Sequence, residues 1–149
     1  MKQVNQMTLK FSALSCNESF ARACVASFCL PLNPSLEEIT DIKTAVSEAV
    51  TNSVVHAYPN KIGDIVINVK LTNNSVYIKV EDFGSGIENI QQAKEPFFTS
   101  KPQNERSGMG FAVMESFMDG VEVTSTPGAG TTVVLTKTIL GEVVSAVGG

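Results

Sequence analysis

Residues 47–58 read SEAVTNSVVHAY, and the fold turns on what that stretch does. It closes a segment that opens at PSLEEI. There Ser35 can accept from the Glu38 amide while the Glu38 carboxylate reaches back, a capping box that starts a helix. Leu36, Ile39, Ile42, Val46, Ala49 and Val50 then recur at helical spacing and carry the helix to about Ala57, before Pro59. Glu48 and Asn52 lie four residues apart, so they project from one face, one turn from each other. Taken alone, that pair describes a solvated helix face. Its meaning depends on what the rest of the chain folds against it.

Upstream, residues 7–13 alternate well enough for a strand. From about Ser19 to Leu30, Phe20, Ala21, Cys24, Val25, Phe28 and Cys29 keep helical spacing until Pro31. Downstream, DIVINVKL (64–71) and SVYIKVED (75–82) read as strands joined at TNN. Residues 87–93 have the pattern of a short helix, and 94–107, with two prolines and no sustained period, read as a loop. MGFAVMESFMDG reads as an amphipathic helix ending at Gly120, with Met109, Met114 and Met118 on its core side. VEVTSTP and TTVVLTKTI form a hairpin across Gly-Ala-Gly, and residues 141–149 are expected to be a disordered tail. The order β-α-α-β-β-loop-α-β-β predicts an α+β fold. It is a two-layer α/β sandwich with helices on one face of a mixed, mostly antiparallel sheet. A parallel dinucleotide-binding sheet would need strands and helices to alternate. Residues 1–140 are read as one domain.

At 149 residues, with 43% hydrophobic and 17% charged side chains, the chain has the balance of a globular domain. A net charge of −4 argues against a sequence-independent grip on nucleic acid, which needs clustered Lys and Arg. Cys16, Cys24 and Cys29 lack metal-ligand spacing and read as small core residues in a reducing compartment. No stretch has about 18 consecutive apolar residues, and no leader pattern opens the chain, so the expected location is the cytoplasm, away from membranes.

Two glycine clusters give Glu48 and Asn52 a context. In EDFGSGI (81–87), Asp82 ends a strand just before Gly84 and Gly86, holding a carboxylate beside backbone that a ligand can approach closely. In SGMGF (107–111), Gly108 and Gly110 open a helix whose free amides can receive phosphate. Thr131 and Thr132 follow Gly130 at the start of the last strand.

These elements, in this order, resemble the ATP-binding pattern of the GHKL superfamily (gyrase, Hsp90, histidine kinase, MutL), the Bergerat fold. SEAVTNSVVHAY resembles its N box, and EDFGSGI and SGMGF its two glycine boxes. The resemblance spans about residues 35–138. It implies that Asp82 accepts from the adenine amine with help from Thr132, and that Asn52 ligates Mg2+. It makes residues 88–107 an ATP lid in which Arg106 reaches the terminal phosphate. Thr99, Ser107, Gly108, Met109 and Gly110, with Gly84 and Gly86, complete the nucleotide contacts. Glu48, one turn from the magnesium ligand, is the general base. His56 is expected to be structural, and Lys101 has no assigned role.

FSALSCNESFAR, FFTSKP and ERSGMGF narrow the resemblance to the anti-sigma factor serine kinases of spore-forming bacteria, over nearly the whole chain. That family implies inhibition of a sporulation sigma factor, ATP-dependent phosphorylation of a serine on an anti-anti-sigma partner, and a homodimer. Arg22, an i, i+4 partner of Glu18, is the candidate partner contact. The alternatives are an anti-sigma kinase of the general stress response and a nucleotide-dependent clamp without turnover. A sensor histidine kinase would carry asparagine in place of Glu48, and a gyrase- or Hsp90-type machine would need a transducer domain beyond Thr131.

Overall fold

In the computed structural model, residues 4–58, 61–86 and 110–141 are described. Five strands form one sheet: β1 (Val4–Ser12), β2 (Asp64–Thr72), β3 (Ser75–Asp82), β4 (Gly120–Thr126) and β5 (Gly130–Thr138). Their spatial order is β1-β2-β3-β5-β4, and all four pairings are antiparallel. Among the described residues, three α-helices, α1 (Glu18–Cys29), α2 (Leu36–Asn52) and α3 (Gly110–Phe117), form the second layer of the sandwich. The expected α+β architecture is therefore present, with an entirely antiparallel sheet.

Strand parity places the core. Ile65, Ile67, Val69 and Leu71 of β2, Val76, Ile78 and Val80 of β3, and Val133 and Leu135 of β5 are all buried. The register sets Ile67 opposite Val80, and Val80 opposite Val133, so these side chains share one face. Ile42, Ala45, Val46, Ala49 and Val50 of α2 are buried in the same cluster. Fully burying each such isoleucine or valine contributes roughly 1.5–3 kcal/mol. Between β2 and β3 the chain reverses at Asn73–Asn74, with Asn73 in the left-handed region at φ 55, a conformation asparagine tolerates.

Both halves of the Ser35–Glu38 capping box are formed. The Glu38 carboxylate does more than cap: it also accepts from the Leu140 and Gly141 amides at 2.8 and 3.0 Å, pinning the end of β5 to the start of α2. Partial burial pushes its pKa up, but the N–H donors of Leu140, Ser35 and Gly141 outweigh that and hold it below the usual value.

Several expectations are corrected. Phe20 is 51% exposed and Leu36 is 79% exposed: Phe20 lies off the face of α1 that buries Ala21, Val25 and Cys29, and Leu36 is the first residue of α2. Cys29 is buried and its thiol is pushed up to about 11 by that burial. Cys24 is half-buried, but Cys16 is on the surface, in a 3-10 turn (Ser15–Asn17) ahead of α1. Gly120 does not cap α3, which stops at Phe117; it is the first residue of β4. Finally, α2 ends as an α-helix at Asn52, and Ser53–Ala57 form a π turn rather than further α-helix. Met114 and Met118 are in the core as expected.

Candidate functional site

The π turn assembles the site. Val46, Ala49 and Val50 lie on the buried stripe of α2, and Ser53 continues it three residues on. A polar residue on such a stripe needs a partner. Ser53, 6% exposed, donates from its hydroxyl to Asp82 Oδ2 at 2.9 Å. Asp82, 5% exposed, stands at the tip of β3 and accepts two more bonds at Oδ1, from the Gly84 amide at 3.2 Å and the Thr131 amide at 3.1 Å. A buried carboxylate held by three donors has a fixed orientation and can only accept from a further group.

The glycine loop after Asp82 hangs from the end of the π turn. Ser85 donates its amide to the Ala57 carbonyl at 2.8 Å and its hydroxyl to the His56 carbonyl at 3.0 Å. Gly84 approaches so closely that a Cβ there would run into the Ala57 carbonyl. Gly86 adopts φ 76 against the backbone of Thr126 and Pro127, and its neighbour Ser85 accepts from the Gly128 amide. Any side chain at Gly84 would push the loop off the helix. His56 thus serves the site through its backbone carbonyl.

Glu48 and Asn52 meet α3 at its first residue. A Cβ on Gly110 would stand 3.1 Å from Asn52 Nδ2, 3.2 Å from Asn52 Oδ1 and 3.4 Å from Glu48 Oε2. The carboxylate, the amide and the amino end of α3 therefore share one small volume. Glycine at 110 keeps that space open. Because the first amides of a helix lack internal partners, this end favours an anion.

Thr132 and Asp82 are near each other at one end of the sheet, but strand alternation turns their side chains to opposite faces. Thr132 pairs with Glu81, whose side chain, like its own, points away from the helices. Thr131 is opposite Asp82 and shares its face, with its hydroxyl 3.0 Å from Ser125 Oγ. Ser53 and Tyr58, which bond to Asp82 and to the Phe83 amide, were given no role by the sequence reading, and Thr131 was noted there without one. The serine on an apolar stripe was a usable signal for the first. Thr99, Arg106, Ser107, Gly108 and Met109, and the lid that holds several of them, lie outside the described residues. Lys101 lies there too. Arg22 is on α1, its guanidinium 3.4 Å from Glu18 and partly exposed, well apart in sequence from these elements.

The histidine kinase-like ATPase domain family matches residues 12–137, which takes in every element from the end of β1 to β5. An anti-sigma F factor from Caldanaerobacter subterraneus is 55% identical over 139 residues, covering 93% of this chain and 97% of that protein. This chain belongs to the anti-sigma F factor family. The anti-sigma F factors of Bacillus subtilis and Clostridium acetobutylicum are 54% and 56% identical over 134 and 133 residues, in each case 89% of this chain. They are matched over 92% and 93% of their own lengths. The crystal structure of the RsbU and RsbW domains of a Mycobacterium tuberculosis protein aligns with a TM-score of 0.65 over 95% of this chain. At 21% identity that likeness concerns the fold, and this chain spans 34% of that longer one. Membership of a histidine kinase-like ATPase domain family implies that the chain binds ATP.

Among the described residues, no helix is long and apolar enough to cross a membrane. Nor is there a group of three or more His, Cys, Asp or Glu side chains able to hold a metal ion. The Asn52 amide oxygen, beside the start of α3, nonetheless fits Mg2+. It is a hard cation that accepts few protein oxygens when phosphate oxygens and waters fill its remaining positions.

Proposed function

We propose that this anti-sigma F family member is an ATP-dependent protein kinase that transfers the terminal phosphate to a serine of an anti-anti-sigma protein, and that it holds a sporulation sigma factor inactive. The observation carrying the kinase reading is the convergence of the Glu48 carboxylate and the Asn52 amide on Gly110 at the start of α3. Asp82 receives the adenine amine. Thr131, on the same face as Asp82, is the better-placed threonine to assist it than Thr132. The phosphates lie along the amino end of α3. Asn52 supplies the protein ligand of Mg2+, which neutralises phosphate charge when bound. Glu48 takes the proton of the serine hydroxyl as its oxygen bonds to the terminal phosphorus, and the bond to the ADP oxygen breaks.

A serine acceptor fits this base. A neutral alcohol must lose a proton as it attacks, whereas an imidazole already presents a lone pair and gains less from a carboxylate. The relatives' name, anti-sigma F factor, supports sigma F as the inhibited partner. The kinase acts as a homodimer in this reading, with Arg22 and the exposed face of α1 as the candidate docking surface for partners.

Incubation with labelled ATP and the anti-anti-sigma protein should label that protein with phosphate that survives mild acid. Phosphoserine is acid-stable and phosphohistidine is not. Acid-labile label, or free phosphate with no protein acceptor, would overturn the serine-kinase reading.

A further inference from the structure

Tyr58 follows the π turn directly and is 8% exposed. Its hydroxyl donates to the Asp64 carbonyl at 2.7 Å and accepts from the Phe83 amide at 2.7 Å. Asp64 opens β2, and Phe83 directly follows the neighbouring strand β3. The β2–β3 register ends at Ile65 opposite Asp82, so the next pair in line would be Asp64 and Phe83. Two bonds in series through one oxygen hold that carbonyl and that amide roughly 4–5 Å apart, against about 2.9 Å for a direct ladder bond. The phenol is thus inserted where β3 would otherwise remain zipped to β2.

What leaves the sheet at that point is the adenine side of the cleft. Asp82 is the last paired residue, and Gly84, one residue beyond Phe83, donates to its carboxylate. The ring of Tyr58 is seated independently of its hydroxyl, since it packs over Gly63 so closely that a Cβ there would overlap it. Burial pushes the Tyr58 pKa up, so near neutral pH the phenol stays protonated and can both donate and accept.

We infer that Tyr58 is a positioning residue for nucleotide recognition: its hydroxyl wedges β2 from β3 at Asp64 and Phe83 and so sets the depth and orientation of Asp82 and the glycine loop. The inference rests on the reading that Asp82 receives adenine. Without the wedge, Phe83 closes onto Asp64, the ladder extends by one pair, and the loop is drawn toward β2.

Tyr58→Phe keeps the ring over Gly63 and removes the oxygen. The variant should raise KM for ATP about tenfold, the scale of one or two hydrogen bonds' worth of preorganisation, with kcat within about twofold. Its preference for ATP over GTP should fall. A lowered Tm with KM and base preference unchanged would make Tyr58 merely structural and overturn the inference. Asp82→Asn is measured alongside. If it loses ATP affinity while Tyr58→Phe does not, the wedge fails alone; if neither loses affinity, the adenine reading fails and the wedge with it. Should Tyr58→Phe not fold, a fluorotyrosine placed at position 58, whose oxygen accepts more weakly, should raise KM in the same direction by a smaller factor. An unchanged KM there overturns the inference equally.

Discussion

At Glu48, loss of a single ionisable oxygen separates binding from chemistry. Glu48→Gln preserves size and polarity beside Gly110 but cannot take a proton. Single-turnover transfer to the anti-anti-sigma protein should fall by about 10²–10⁴ while ATP affinity stays within a few-fold. Transfer at the parent rate would remove Glu48 from the role of base. Asp82 works by the opposite logic, since its task is to be fixed. Ser53, Gly84 and Thr131 donate to it, leaving a carboxylate that accepts in one direction. The pairing of Glu48 with Asn52 and the place of Asp82 at a strand tip were legible as spacing. The choice between Thr131 and Thr132 was not. Adjacent strand residues point to opposite faces, and only the register with β3 decides which of them faces Asp82.

Among the elements, α2 carries the most. Its first turn ties the end of β5 through Glu38, and its last turn passes into the π geometry that sends Ser53 toward Asp82 and the His56 and Ala57 carbonyls toward Ser85. π turns occur mostly as single-turn bulges in α-helices, frequently at functional sites. The sequence pattern stays apolar-periodic through this region, so periodicity alone extends the helix to Ala57. Glu38→Gln leaves one oxygen where the carboxylate offers two and turns an amide N–H toward backbone donors. It should cost about 1–2 kcal/mol at neutral pH, roughly 3–6 °C in Tm for a chain of this size. The pKa of Glu38 is held low in the folded state, so its contribution is complete above the ordinary carboxylate value near about 4.3 and is lost as pH falls through the lower folded value. Thermal melts from neutral to acidic pH should therefore show the gap between parent and variant closing as pH falls through that range. A gap that persists unchanged into strong acid would show that the negative charge is not what holds β5.

For the whole molecule, the proposed site lies between α2, the glycine loop and α3, and Ser53, Ala57 and Tyr58 beside it are all buried. Nucleotide that binds only the folded chain must stabilise it as a whole. At ATP and Mg2+ concentrations about 100-fold above Kd, stability should rise by about 2.7 kcal/mol. That corresponds to a Tm increase of roughly 5–10 °C. Chelation of Mg2+ should shrink the increase, and Asp82→Asn should remove most of it. A Tm indifferent to ATP in the parent protein would place the nucleotide elsewhere or nowhere.

Local spacing was enough to read the two-layer α+β architecture, the capping box at Ser35 and Glu38, the shared helix of Glu48 and Asn52, and Asp82 at a strand tip. Each of these is written in local spacing: a period of 3.6 for the helices, a period of 2 for the strands, and glycine where backbone must come close. Only the folded chain shows the exposure of Phe20, Leu36 and Cys16, the turn from α to π geometry at Ser53, the placing of Thr131 and not Thr132 on the face of Asp82, and the insertion of Tyr58 between Asp64 and Phe83. Those depend on which layer, face and strand end a residue meets across the fold. Such contacts join residues far apart in the chain, as Ser53 with Asp82 and Glu38 with Leu140, and no local period encodes them.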